Sequence, residues 1–102
     1  MNVTEFHQQV ETVWQHIENE LDRQDSDIDC EINGAVMTLT FADDSQIVIN
    51  KQEPLLELWL ASRLGGLHFK IINGEWINTS GQTFWQALEQ ACTAHGECIC
   101  FG

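Results

Sequence analysis

The chain has 102 residues, 43% of them hydrophobic, with four Trp, and its sixteen acids against four bases give a formal net charge of −12. A chain of this length buries somewhat over about 60% of the surface it exposes when unfolded, so one domain over 1–102 is expected, with no staple needed to hold it. So acidic a field excludes phosphate backbones and anionic lipids as partners and favours metal cations and basic protein surfaces.

The N-terminal Met-Asn-Val-Thr-Glu-Phe lacks a basic stretch followed by an apolar run, and no apolar segment is long enough to cross a bilayer. The expectation is a cytoplasmic protein that binds neither nucleic acid nor membrane. Cys30, Cys92, Cys98 and Cys100 then read as thiols rather than a disulfide framework.

In chain order, Phe6, Val10, Val13, Trp14, Ile17 and Leu21 share one face at helical spacing, which predicts an amphipathic helix from about residue 3 to 22 with Thr4 as its N-cap. Glu11, Glu18 and Asp22 form an acidic stripe along one flank of that face. From Asp27 the period changes to two. Asp27, Asp29 and Glu31 alternate with Ile28, Cys30 and Ile32, the pattern of a half-buried strand.

Asn33-Gly34 is a type I′ hairpin signal and predicts that Ile32 pairs with Ala35, Cys30 with Met37 and Ile28 with Leu39. Further strands are expected over 46–50, with Ile47 and Ile49 inward, and over 57–61, with Leu58 and Leu60 inward and Glu57 and Trp59 on the outer face. Pro54 breaks the ladder between them. Leu67, Phe69 and Ile71 mark another strand, which Asn73-Gly74 turns into Glu75-Trp-Ile77.

Thr79-Ser-Gly-Gln82 reads as the capping box of a second helix running through Phe84, Trp85, Leu88, Ala91 and Cys92 toward Gly96. Residues after about 95 read as a loose tail. The element order implies an α+β fold, a two-layer α/β sandwich with two helices packed on one face of an antiparallel sheet and the other face open.

The helical and strand acids are joined through Asp25 and predict one continuous ridge. Alternate strand residues lie roughly 6.5 to 7 Å apart, where two carboxylates repel by about 2 kcal/mol near a protein surface. Without a bound cation, that repulsion is a sizeable share of a domain stability of about 5 to 15 kcal/mol.

Exposed carboxylates are hard oxygen ligands, suited to iron and to other divalent cations such as Mn²⁺, Ca²⁺ or Mg²⁺. Because no closed shell gathers them, binding is expected to be weak. An EF-hand starting at Asp25 fails, since Cys30 stands where its Gly is needed and Val36 where its bidentate Glu is needed. His7, one turn before Glu11, adds a further possible ligand. Cys92, Cys98, Cys100 and His95 match no standard zinc spacing.

The stretches Phe6-His7, Trp14, Ile17-Glu18, Asp27-Ile-Asp-Cys-Glu-Ile-Asn-Gly34, Ile49-Asn-Lys-Gln-Glu-Pro54, Trp59-Leu-Ala61, Gly65-Gly66, His68-Phe69, Trp76 and Thr83-Phe-Trp85 resemble the bacterial frataxins of the CyaY type, over about residues 1–92. The resemblance implies weak iron binding on an acidic ridge of Glu18, Asp22, Asp25, Asp27, Asp29 and Glu31. It also implies a regulator or adaptor of iron-sulfur cluster assembly that contacts the cysteine desulfurase and scaffold proteins, with Asn50, Gln52 and Trp59 as the sheet-face contact set, and a monomer in the absence of metal.

Two departures from that pattern stand out. Arg23 and Gln24 occupy positions where more acid is expected, and the tail after Cys92 resembles nothing typical of the family. The competing readings are a ferroxidase or iron store on the ridge, which lacks the Glu-x-x-His pairs of a di-iron bundle, and an acidic decoy that imitates nucleic acid, which leaves Trp59 without a purpose.

Overall fold

The computed structural model describes all residues 1–102. The elements follow in the order α1 (Val3–Arg23), β1 (Asp29–Asn33), β2 (Val36–Thr40), β3 (Gln46–Gln52), β4 (Glu57–Ser62), β5 (Gly65–Ile72), β6 (Glu75–Ile77) and α2 (Phe84–Ala94), with a short 3₁₀ turn at Glu53–Leu55. The strands form one antiparallel meander in sequential order.

The period-2 pattern decides which face is covered. Met37, Leu39, Ile47, Ile49, Leu58, Leu60 and Phe69 alternate with outward residues and join a single buried cluster with the apolar stripes of both helices. Phe6, Val10, Trp14 and Ile17 come from α1, and Phe84, Leu88 and Cys92 from α2. Both helices therefore lie on one sheet face, the expected two-layer α+β sandwich.

Four local expectations change. The α1 N-cap is Asn2, whose side chain accepts the Glu5 N–H at 2.8 Å, not Thr4. The capping box of α2 is Thr83 with Gln86, not Thr79 with Gln82. Asn78 takes residues 79–82 out of helical geometry, because its Oδ1 accepts the N–H groups of Ser80 and Gln82 at 3.1 and 2.9 Å. Gly81 sits at φ 85, outside the helical region.

The first hairpin is shifted by two. Asn33 pairs with Val36, Ile32 with Met37 and Cys30 with Leu39, so Gly34 (φ 61) and Ala35 form the loop. This is the glycine-first pattern of a type II′ turn, an equally compatible hairpin loop. A shift of two leaves every side chain on its expected face. At Asn73-Gly74 both residues have positive φ, 53 and 83, and Ile72 pairs with Glu75, as a type I′ turn requires.

The fourth change is the tail, which is docked rather than loose. Ile99 and Phe101 are buried, and the Phe101 ring stacks on Trp85 at 5.7 Å. The Phe101 N–H donates to Glu89 Oε2 at 2.8 Å, its carbonyl meets His16 Nε2, and Cys100 is held by Gln24. Residues 97–102 thus lie across both helices, because two apolar side chains at alternate positions give the segment a face to bury.

Candidate functional site

The acidic side chains come from four kinds of backbone. Glu18 and Asp22 stand one turn apart on the last half of α1, Asp25 sits in the following turn at φ 52, Asp27 lies in the connector, and Asp29 and Glu31 belong to β1. Asp is among the few non-glycine residues that tolerate the left-handed region, which lets the chain reverse there. Asp25 N–H closes onto the Asp22 carbonyl at 3.1 Å, and Ser26 N–H onto Leu21 at 3.0 Å.

The expected single ridge resolves into two sets along one sheet edge. On the helix side, Glu18 and Asp22 line a shallow groove of about 250 Å³ with Leu21, Ser26, Ile28 and Cys30. Asp29 and Glu31 project from the opposite face of the edge strand, beside Thr40 and Thr38 of β2. No three His, Cys, Asp or Glu side chains converge into a group able to hold a metal ion.

All six carboxylates are exposed, and none forms an ion pair. The four bases are engaged elsewhere. Arg23, inside the acidic stretch, turns back to Glu20 at 2.6 Å, Arg63 pairs with Asp43, Lys70 with Glu57, and Lys51 donates to His7 Nδ1 at 3.3 Å. The edge is thus a row of hard oxygen donors without an internal counter-charge.

Cys30 stands half-buried in the same groove as Glu18 and Asp22. Burial, then the Glu18 carboxylate, pushes its thiol up to about 11.

His7 makes no hydrogen bond to Glu11. Its Nε2 meets Glu53 Oε2 at 3.0 Å and its Nδ1 receives the Lys51 ammonium, so neither nitrogen has a free lone pair and an adjacent cation opposes a metal ion. Packing against β3 decides its orientation, and helical spacing alone carries no information about that neighbour.

On the open sheet face, Val36, Asn50, Trp59 and His68 stand in register across four strands. Trp59 is half-buried. Its ring lies flat on His68, with centroids 4.0 Å apart and planes 3° from parallel, and its Nε1–H donates to Glu57 Oε1 at 2.9 Å. Ala61 and Gly66 leave a groove of about 170 Å³ beside it, with Asn50 at the lip, while Gln52 stands opposite Glu57.

The roles of Glu57 and His68 as supports of Trp59 are additional to the expected contact set. His68 was readable as outward-facing from its place between Leu67 and Phe69, but its pairing with Trp59 depends on the strand register.

A separate polar cluster joins three distant segments. The buried His95 stacks on Phe41 at 4.7 Å, accepts the Arg63 N–H on Nε2 at 3.1 Å, and bonds Ser45 Oγ through Nδ1 at 2.7 Å. A backbone N–H can only donate, so Nε2 is bare and Nδ1 carries the proton. Ser45 in turn donates to Asp43.

The family model for the frataxin-like domain matches residues 1–98, so the likeness runs past residue 92 into the tail. The iron-sulfur cluster assembly protein CyaY of Haemophilus influenzae is 59% identical over 101 residues, covering 99% of this chain and 100% of that protein. The protein of the same name from Pasteurella multocida is also 59% identical, covering 99% of each.

Among solved structures, the frataxin from Psychromonas ingrahamii superposes with a TM-score of 0.92 at 35% identity, over 100% of this chain and 99% of that one. A trimeric frataxin from the yeast Saccharomyces cerevisiae, in its ferrous complex, gives 0.70 at 30% identity over 87% of each chain.

Proposed function

The chain belongs to the frataxin family, and on that premise we propose that it is a cytoplasmic regulator or adaptor of iron-sulfur cluster assembly. It binds iron weakly as cargo on Glu18, Asp22, Asp25, Asp27, Asp29 and Glu31, and docks on the cysteine desulfurase and scaffold machinery through Asn50, Gln52 and Trp59. The observation that carries this reading is that all six acids lack an internal counter-charge while all four bases are engaged elsewhere.

Open oxygen donors spread along an edge give a broad attractive field with low selectivity, which suits an ion that must be released again. The same field steers a basic protein surface, so partner binding weakens with salt. Trp59, held flat by His68 and Glu57 before any partner arrives, is an anchor of the kind that dominates interface energetics.

The reading is one of binding rather than catalysis, because the carboxylates do not converge on a shared centre. Iron and a basic partner draw on the same acids, so saturating Fe²⁺ is expected to change partner affinity.

The test is cluster assembly reconstituted with a cysteine desulfurase and a scaffold, with and without this protein. The wild type is expected to change the rate, and the Trp59→Ala and Asp27/Asp29/Glu31→Asn/Asn/Gln variants to lose most of that effect. An unchanged effect in both variants refutes the assignment of the two surfaces.

A further inference from the structure

We propose that Cys98 and Cys100 form a two-thiolate site for a soft monovalent metal ion of the copper(I) class. Both cysteines are exposed, while Ile99 between them is buried. Both cysteines line one open groove of about 390 Å³ between the docked tail and Glu89, Gln90 and Thr93 of α2. Cys100 Sγ makes one hydrogen bond, to the Gly102 carbonyl at 3.6 Å.

The segment is held before any ion arrives. Gln24 binds the backbone of Cys100 through both its N–H and its carbonyl, and the Phe101 N–H is fixed by Glu89. The other two cysteines differ. Cys92 is buried and its thiol is pushed up to about 12 by burial and then by Glu97, and Cys30 is half-buried beside Glu18.

Spacing and ligand number select the ion. Alternate residues of an extended segment have Cα atoms roughly 6.5 to 7 Å apart, at the upper limit of what a disulfide tolerates. Two metal–sulfur bonds of about 2.3 Å in line need sulfurs about 4.6 Å apart, which two side chains on one side reach by leaning together. Zinc requires four ligands, and no third His, Cys, Asp or Glu converges here. Thiolate donors favour copper(I), whereas the carboxylate edge favours hard cations, so the two regions take different metals.

Binding breaks two S–H bonds, forms two S–metal bonds and releases two protons to solvent, with no change in oxidation state.

The test uses silver(I) as the probe, since it shares this chemistry and needs no reductant. The reduced full-length chain is titrated and followed by native mass spectrometry, with circular dichroism to verify folding. One silver ion per chain is expected. Cys98→Ser and Cys100→Ser should each weaken binding by at least about 100-fold, more than loss of a mere supporting group. Cys30→Ala and Cys92→Ala should leave it unchanged. Wild-type binding by the Cys98→Ser/Cys100→Ser double variant overturns the proposal, as does one silver ion bridging two chains.

Discussion

The side-chain amide of Gln24 grips the backbone of Cys100 at both ends, donating from Nε2 to the carbonyl at 2.6 Å and accepting the N–H on Oε1 at 3.1 Å. A single side chain at the end of α1 thereby imitates a neighbouring strand and ties the C-terminal segment to the first helix.

Replacing Gln24 with Ala removes both bonds. Each contributes about 1 kcal/mol net, and solvent access at this position halves the sum to about 1 kcal/mol. A fall of roughly 4 °C or more in melting temperature is expected, with faster amide exchange confined to residues 97–102. Phe101→Ala, which empties a buried stacked position, should cost about 3 to 5 kcal/mol. Equal and negligible effects of both changes would mean that the tail is not docked in solution.

The two threonines before α2 offer a clean comparison. Thr83→Ala removes a reciprocal cap and is expected to destabilise by about 1 kcal/mol in urea unfolding, whereas Thr79→Ala, at an exposed loop position, should stay within about 0.5 kcal/mol. The reverse order would place the helix start at residue 79.

The His95 cluster predicts a pH dependence. Burial, then the Arg63 charge, holds the imidazole below its ordinary value of 6.5, against a smaller opposing pull from Asp43. The unfolded chain therefore takes up the proton first, and stability is full above about pH 6.5 and falls as the pH drops below it. Asp43, lowered to about 2 mainly by its hydrogen bonds from Ser45, adds a second loss as the pH falls through 3.8 toward 2. Melting curves between pH 5 and 7 (roughly the range in which histidines titrate) should show a shallower slope in His95→Gln than in wild type. Parallel slopes would mean that the ring is protonated in the folded protein.

Removing charge from the edge should stabilise the metal-free protein. In Asp27/Asp29/Glu31→Asn/Asn/Gln the melting temperature at low salt is expected to rise by a few degrees, because repulsion without a counter-charge is relieved. The extra stabilisation by Fe²⁺ or Co²⁺, relative to NaCl at matched ionic strength, should shrink in the same variant. Equal stabilisation by both salts in the wild type would remove specific metal binding at the edge.

These cases separate what local pattern encodes from what tertiary neighbours decide. Period-2 alternation set the faces of Cys30, Ile47, Leu58 and Trp59, because exposure parity depends on the strand alone. It could not set which residues pair across the first hairpin, since a slip of two preserves parity and Gly34 accepts either loop. The α2 cap was displaced because the Asn78 side chain claims the N–H groups of the preceding loop.

The acids of the edge were legible from spacing, but their division into two sets follows from Glu18 and Asp22 lying in the helix layer while Asp29 and Glu31 point off the other sheet face. The His95 cluster joins residues 43, 45, 63 and 95, and no short-range signal marks so dispersed a group. The hydrogen bonds of His7 to Lys51 and Glu53 were hidden for the same reason, since those partners come from a different part of the chain.

A meander leaves two strand edges with backbone groups that lack partners, and each edge is a template on which another chain can extend the ladder. β6 limits this hazard by having only three residues and by the bridge that Thr83 makes to Ile77 on its outer side. β1 has five, and there Asp29 and Glu31 make two approaching copies repel before their backbones meet. The acidic edge is therefore also a barrier to self-association, and a cation that neutralises it lowers that barrier as it binds.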